Sequence, residues 1–127
     1  MKRLIIYKCP ICGNIICMLE DSGVVPVCCG KEMMLLEENT VEAVHEKHIP
    51  VLLCSGTNVQ ISVGEVMHPM TAQHYISHIF LLTDSNLFIR RLSFGDTPGT
   101  VFRLGENEKI LAAYALCNLH GLWKCNV

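Results

Sequence analysis

The chain has 127 residues, half of them apolar, and a formal net charge of −2 at pH 7. That length fits one ordinary domain, or one domain with a small appendage, and supplies enough apolar material for a core. The charge gives no footing for a nucleic-acid partner or an anionic membrane surface, and no apolar run approaches the roughly 20 residues of a membrane span. The N-terminal run Leu4-Ile5-Ile6-Tyr7 stops at Lys8 and Cys9, too short for the apolar region of an export signal, so the expected location is the cytoplasm. In that reducing compartment the eight cysteines are read as metal-binding or redox groups rather than disulfides.

Residues 1–38 form the first compositional unit. Cys9-Pro10-Ile11-Cys12-Gly13 is a C-x-x-C knuckle, whose turn points backbone N–H groups at a thiolate. Cys28-Cys29-Gly30 follows fifteen residues after Cys12. Four thiolates at this spacing close a tetrahedral site for zinc or iron, somewhat distorted because the side chains of an adjacent pair diverge. So short a unit buries little apolar surface, and metal binding supplies much of its folding free energy. Cys17, within Ile15-Ile16-Cys17-Met18-Leu19, reads as a small core residue rather than a fifth ligand. Residues 31–42 read as a connector, with the boundary near Glu38-Asn39.

From residue 39 to 127 the pattern is β. Short runs at 50–54, 58–63, 74–82, 87–92, 99–104 and 109–116 are rich in Val, Ile, Leu, Phe and Tyr. Turn sequences such as Ser55-Gly56-Thr57-Asn58 and Gly95-Asp96-Thr97-Pro98-Gly99 separate them. This predicts an all-β antiparallel sandwich or barrel. The alternation over 109–116 is imperfect and also fits a helical turn.

This second unit carries a constellation of imidazoles and one thiol. His48 lies two residues before Pro50, and His68 directly precedes Pro69. A following proline favours extended backbone, which puts both near strand ends or loops, where a scaffold can aim them at one point. His74 opens a strand-like run, and His120 follows Cys117 in Cys117-Asn118-Leu119-His120-Gly121-Leu122-Trp123. Singly, each histidine reads as a surface or hydrogen-bonded core residue. Together with Cys117 they read as a transition-metal site. His78 lies four residues beyond His74, roughly 13 Å along a strand, too far to share one ion. It reads as packing or surface, and His45 as surface. Glu46-Lys47, taken alone, reads as a solvated charge pair.

In this order and spacing the motifs resemble desulfoferrodoxin, the two-iron form of superoxide reductase, over essentially the whole chain. The resemblance implies a small desulforedoxin-like unit (1–38) followed by an immunoglobulin-like β-sandwich catalytic domain (39–127), assembled as a homodimer. It implies two iron ions per chain. Cys9, Cys12, Cys28 and Cys29 would hold the first, where zinc is a possible substitute. His48, His68, His74 and His120 would hold the second in a plane, with Cys117 as axial thiolate. The implied reaction is one-electron reduction of superoxide to hydrogen peroxide, with electrons from a rubredoxin-like donor and the four-cysteine iron as relay. The implied catalytic residues are Lys47, which would attract superoxide and place a proton-delivering water, and Glu46, a sixth ligand of the oxidised iron. Two features depart from the family pattern. His78 stands where an aromatic residue, tryptophan, is expected, and Cys17, Cys54 and Cys125 are additional to the metal sets.

Overall fold

The computed structural model describes residues 3–39 and 45–126, apart from the side chains of His45 and Glu46. The chain divides into two compact units, Met1–Glu37 and Glu38–Val127. No helix among the described residues is long and apolar enough to cross a membrane.

The first unit is built from five short strands: β1 (Ile6–Lys8), β2 (Ile15–Cys17), β3 (Val27–Cys28), β4 (Lys31–Glu32) and β5 (Met34–Leu35). β1 is the centre of an antiparallel sheet of order β2-β1-β5, while β3 and β4 form a separate hairpin. The stretch read as a connector therefore begins with two strands, because Met34 and Leu35 pair with Lys8 and Tyr7. Pairing with a distant strand is a non-local event that local composition does not announce. Leu4, Ile6, Cys9 and Met33 are the buried apolar residues of this unit. A core this small needs a further source of stability.

The second unit opens with one helical turn, α1 (His45–His48), and continues as seven strands: β6 (Pro50–Ser55), β7 (Asn58–Val63), β8 (Ile76–Thr83), β9 (Leu87–Arg91), β10 (Gly99–Arg103), β11 (Ile110–Cys117) and β12 (Gly121–Asn126). They form two antiparallel sheets, of order β10-β7-β6 and β12-β11-β8-β9. Hairpins join β6 to β7, β8 to β9 and β11 to β12, and β10 returns to pair with β7. This is the immunoglobulin-like sandwich expected from the resemblance. The ambiguous run at 109–116 is strand. The Gly121–Asn126 segment, legible in the sequence only as part of a motif, is also strand.

The core follows from alternation. Along β7, Val59, Ile61 and Val63 face inward and are buried, and their neighbours are exposed. Ile79, Leu81, Phe102, Ala113, Ala115 and Trp123 complete the same cluster. Trp123 stands opposite Ala115 in the β11–β12 register, so a small residue makes room for the largest side chain. Cys117 belongs to this cluster and ends β11. The inward row of β11 thus delivers a thiol to one end of the sandwich.

Candidate metal centres

In the first unit, the knuckle is closed by Cys9 N–H donating to the Asn14 carbonyl (2.8 Å) and Gly13 N–H donating to the Cys9 carbonyl (3.1 Å). Gly13 adopts φ +82°, a conformation that costs a side-chain-bearing residue about 1–2 kcal/mol. The backbone N–H groups of Ile11 and Cys12 both reach Cys9 Sγ at 3.4 Å. These N–H groups, Cys12's foremost, hold the Cys9 thiol down at about 6, against the opposing effect of burial. The N–H donors at the sulfur, in other words, favour the thiolate that a metal requires.

The adjacent cysteines converge through the backbone. Cys29 and Gly30 form the two-residue turn between β3 and β4, at φ +54° and +70°. Two consecutive left-handed residues make the hairpin turn whose twist matches its strands. This turn brings Cys28 and Cys29 to one side with Cys9 and Cys12. All four sulfurs lie within 4.8 Å of one another. Cys12 and Cys28 Sγ are 3.7 Å apart, and Cys28 and Cys29 Sγ 4.0 Å. Sulfurs bound tetrahedrally at about 2.3 Å from a metal sit about 3.8 Å apart, so the spacing fits a thiolate-bound ion. Without an ion, hydrogen bonding among the sulfurs, that with Cys12 first, pushes Cys29 up to about 12. A metal ion relieves this by taking the place of the protons.

In the second unit, each ring arrives on a different piece of chain at one end of the sandwich. His48 ends α1, because Ile49 precedes Pro50 and leaves the helical region. His68 follows β7 in the loop to Pro69. His74 sits in a turn just before β8 rather than opening the strand, held there by bonds to Thr71. Cys117 ends β11, and His120 lies in the three-residue loop to β12. Gly121 follows at φ +77°, a left-handed conformation that glycine adopts without a Cβ penalty.

The four imidazoles form a closed square. Neighbouring ring centroids are 4.6 Å apart for His48–His68 and His68–His74, and 4.9 Å for His74–His120 and His120–His48. Interplanar angles around the square run from 76° to 86°. His48 and His74 face each other across it at 6.1 Å. Donor atoms of His48, His74, Cys117 and His120 all lie within 4.8 Å of one another. His68 joins through its ring contacts with His48 and His74, although its donor atom is outside that tightest set. The sulfur of Cys117 is 3.9 Å from His120 Nδ1, which in turn is 3.0 Å from His48 Nε2.

The electrostatics suit a cation. His68 donates its Nδ1–H to the Pro69 carbonyl at 2.7 Å, which fixes the tautomer and leaves Nε2 a free lone pair. His68 Nε2 and His74 Nε2 are buried and meet no hydrogen-bond partner among the described residues. An orphaned buried nitrogen is costly, and a metal ion would satisfy it. Burial, above all, pushes His68 down to about 4 and keeps its ring neutral. His74 is lowered by burial first, then by His120 and Lys47. Lys47 therefore stands close enough to act on the square electrostatically. Burial raises the Cys117 thiol, opposed by the N–H groups of Leu119 and His120.

One contributor escaped the sequence reading. Trp123 is fully buried, stacks on His48 and donates its indole N–H to the His120 carbonyl at 3.1 Å. The Glu46 side chain lies outside the described residues. His78 lies apart from the square, on β8 opposite Arg91, with its Nδ1 2.9 Å from Ser77 Oγ.

Two family profiles cover this chain. Residues 40–126 match "Desulfoferrodoxin", and residues 2–36 match "Desulfoferrodoxin, N-terminal domain". The chain belongs to the desulfoferrodoxin family. A desulfoferrodoxin from Syntrophotalea carbinolica is 43% identical over 122 residues, spanning 96% of this chain and 95% of its own. Among solved structures, a superoxide reductase from Treponema pallidum superimposes with TM-score 0.82 at 32% identity, covering 98% of this chain and 99% of that one. The superoxide reductase (1Fe-SOR) from Giardia intestinalis covers 65% of this chain and 97% of its own, with TM-score 0.55 and 35% identity. Both donor sets of this chain fit the two irons of the family: four clustered thiolates, and four imidazoles with one thiolate.

Proposed function

We propose that this protein is a superoxide reductase, converting superoxide to hydrogen peroxide by uptake of one electron and two protons. The observation that carries the reading is the square of four imidazoles with a thiol against it. Cys9, Cys12, Cys28 and Cys29 would hold one iron, and His48, His68, His74, His120 and Cys117 would hold the other. Bound at the second site, iron would supply a one-electron couple and a Lewis-acid position for a small anion.

The protein's own residues govern what reaches that position. Four neutral imidazoles and one thiolate leave a divalent ion with one net positive charge, which suits an incoming anion. Burial pushes His68 down to about 4, which favours the neutral ring that a metal ligand requires. Trp123 keeps His48 and His120 in place. Lys47 adds a flexible cation that draws superoxide in and orders the water that delivers a proton. Glu46 would serve as a ligand of the oxidised iron, since a hard carboxylate prefers the ferric ion. Iron held by the four thiolates of Cys9, Cys12, Cys28 and Cys29 would supply a second one-electron couple and relay electrons. The chain acts as a cytoplasmic homodimer and takes electrons from a rubredoxin-like protein, readings supported by the family resemblance.

A pure electron carrier would use both irons and the same ligands without binding substrate. Azide or cyanide added to the ferric protein separates the two. Anion binding that changes the spectrum of the second iron is expected for the reductase. An inert spectrum would favour the carrier.

A further inference from the structure

The turn bearing His74 is held on one side by Thr71. His74 N–H donates to Thr71 Oγ1 (3.1 Å), and the His74 carbonyl accepts from the Thr71 N–H (2.9 Å) and hydroxyl (3.2 Å). On the other side it meets Asn118, which lies between Cys117 and His120. Asn118 Nδ2 donates to the Gln73 carbonyl at 2.9 Å. Asn118 Oδ1 accepts from Tyr75 N–H, also at 2.9 Å. The backbone N–H of Asn118 donates to the Tyr75 carbonyl at 3.1 Å. These bonds bracket His74 from the residue before it and the residue after it. Only one orientation of the amide satisfies both side-chain contacts, because one partner is a carbonyl and the other an N–H.

The contrast with His68 gives this bracket its meaning. His68 is oriented through its ring, by the bond from Nδ1 to the Pro69 carbonyl. His74 presents a buried Nε2 that meets no hydrogen-bond partner among the described residues, and the bonds that fix its residue run through the backbone. Its aim therefore depends on where the turn is tied. The loop of Asn118 is short, and Cys117 and Gly121 pair across its base. Moving Asn118 therefore moves Cys117 and His120 together.

We infer that Asn118 is a positioning residue of the second metal centre, its side-chain amide locking the His74 turn to the Cys117–His120 hairpin so that donors from separate chain segments hold one geometry. The inference rests on the metal-binding reading above. A carboxylate at this position would keep the Tyr75 contact but face the Gln73 carbonyl as a second acceptor. A methyl group would remove both contacts.

The test uses iron-loaded, full-length protein challenged with a ferrous chelator. It follows iron release from each site, the thiolate-to-iron absorption band and the midpoint potential of the second iron. Asn118→Ala is expected to release the second iron on the order of 10-fold faster, as loss of an outer support of a metal ligand typically does. It should also shift the band and potential, with the four-thiolate iron unchanged. Asn118→Asp should shift the same observables and decides the matter if the alanine variant folds poorly. The control is Asn86→Ala, which removes a 2.9 Å bond to Glu108 beyond the opposite end of β8. It should leave the second iron's band and release rate unaltered. Wild-type release and an unshifted band in both Asn118 variants would overturn the inference, as would an equal effect from Asn86→Ala. If the unaltered protein shows no thiolate band at a second iron, the metal-binding reading itself falls.

Discussion

The indole of Trp123 lies stacked on the imidazole of His48, with ring centroids 4.7 Å apart and planes 29° from parallel. Its N–H reaches the carbonyl of His120 on the hairpin. One core side chain thus ties two corners of the square to the packing of the sandwich. Trp123→Phe keeps an aromatic surface but strands the His120 carbonyl, at a cost of about 1–3 kcal/mol for an unmet buried acceptor. Thermal unfolding should report that loss, and the spectrum of the second iron should shift with it. A variant of wild-type stability and spectrum would show the bond to be idle.

The two centres should separate under mutation. Cys117→Ser is expected to abolish superoxide reduction while the four-thiolate iron keeps its visible bands. Cys9→Ser should disturb the first iron, the donor of which sits on the N–H-rich knuckle, yet leave much of the direct reaction at the second. Parallel measurement of iron content, spectra and superoxide consumption checks both. Near-normal turnover in Cys117→Ser would contradict its axial role.

Lys47 lowers His74 through space, and the same charge acts on an arriving anion. Lys47→Ile should slow superoxide capture on the order of 10-fold and flatten its dependence on ionic strength. An unchanged salt slope would remove Lys47 from the steering argument.

Far from the metals, Glu108 closes the loops at the other end of β8. Its carboxylate accepts from the Thr83 hydroxyl, from Asn86 Nδ2 and from Gly105 N–H. These bonds, Thr83's first, hold it below the ordinary carboxylate range. A folded-state value below the unfolded one means stability that is complete above the unfolded value, near 4.5. It is lost as pH falls through the folded value. Glu108→Gln should therefore lower the melting temperature near neutrality and narrow its gap to wild type as pH drops below about 4.5. A gap independent of pH would mean that the carboxylate's charge contributes nothing.

Metal removal should act unequally on the two units. The first has four buried apolar residues among those described, Leu4, Ile6, Cys9 and Met33, and one of these is itself a candidate ligand. The second has a continuous core of its own. Stripping both metals should unfold residues 1–37 and leave the sandwich strands protected in hydrogen exchange. Protection retained in the first unit would show that its sheet stands without an ion.

Much of this architecture is legible in the sequence, and the parts that are not share a cause. The alternation of Asn58–Val63 reads directly as a half-buried strand, since burial there follows the period of two. The cysteine spacing reads as a metal site because ligand chemistry is local. The turn at Cys29–Gly30, with a cysteine at positive φ, is harder to read, because only the closed site justifies the strain. The start of β8 is also hidden. Ile76 and Ile79 both enter the core, which needs a bulge, and the register shifts where Leu116 and Cys117 meet His78 and Ile76. Trp123 over His48, and Asn118 beside His74, are contacts between segments far apart in the chain. No pattern along one segment encodes them.

The central claim is tested most directly by a superoxide pulse on the fully reduced, iron-loaded protein, following visible absorbance and the products together. The reductase reading predicts rapid oxidation of the second iron, appearance of a thiolate-to-ferric band, and hydrogen peroxide formed without oxygen. An iron-replete protein that superoxide fails to oxidise, or that releases oxygen alongside peroxide, would contradict it.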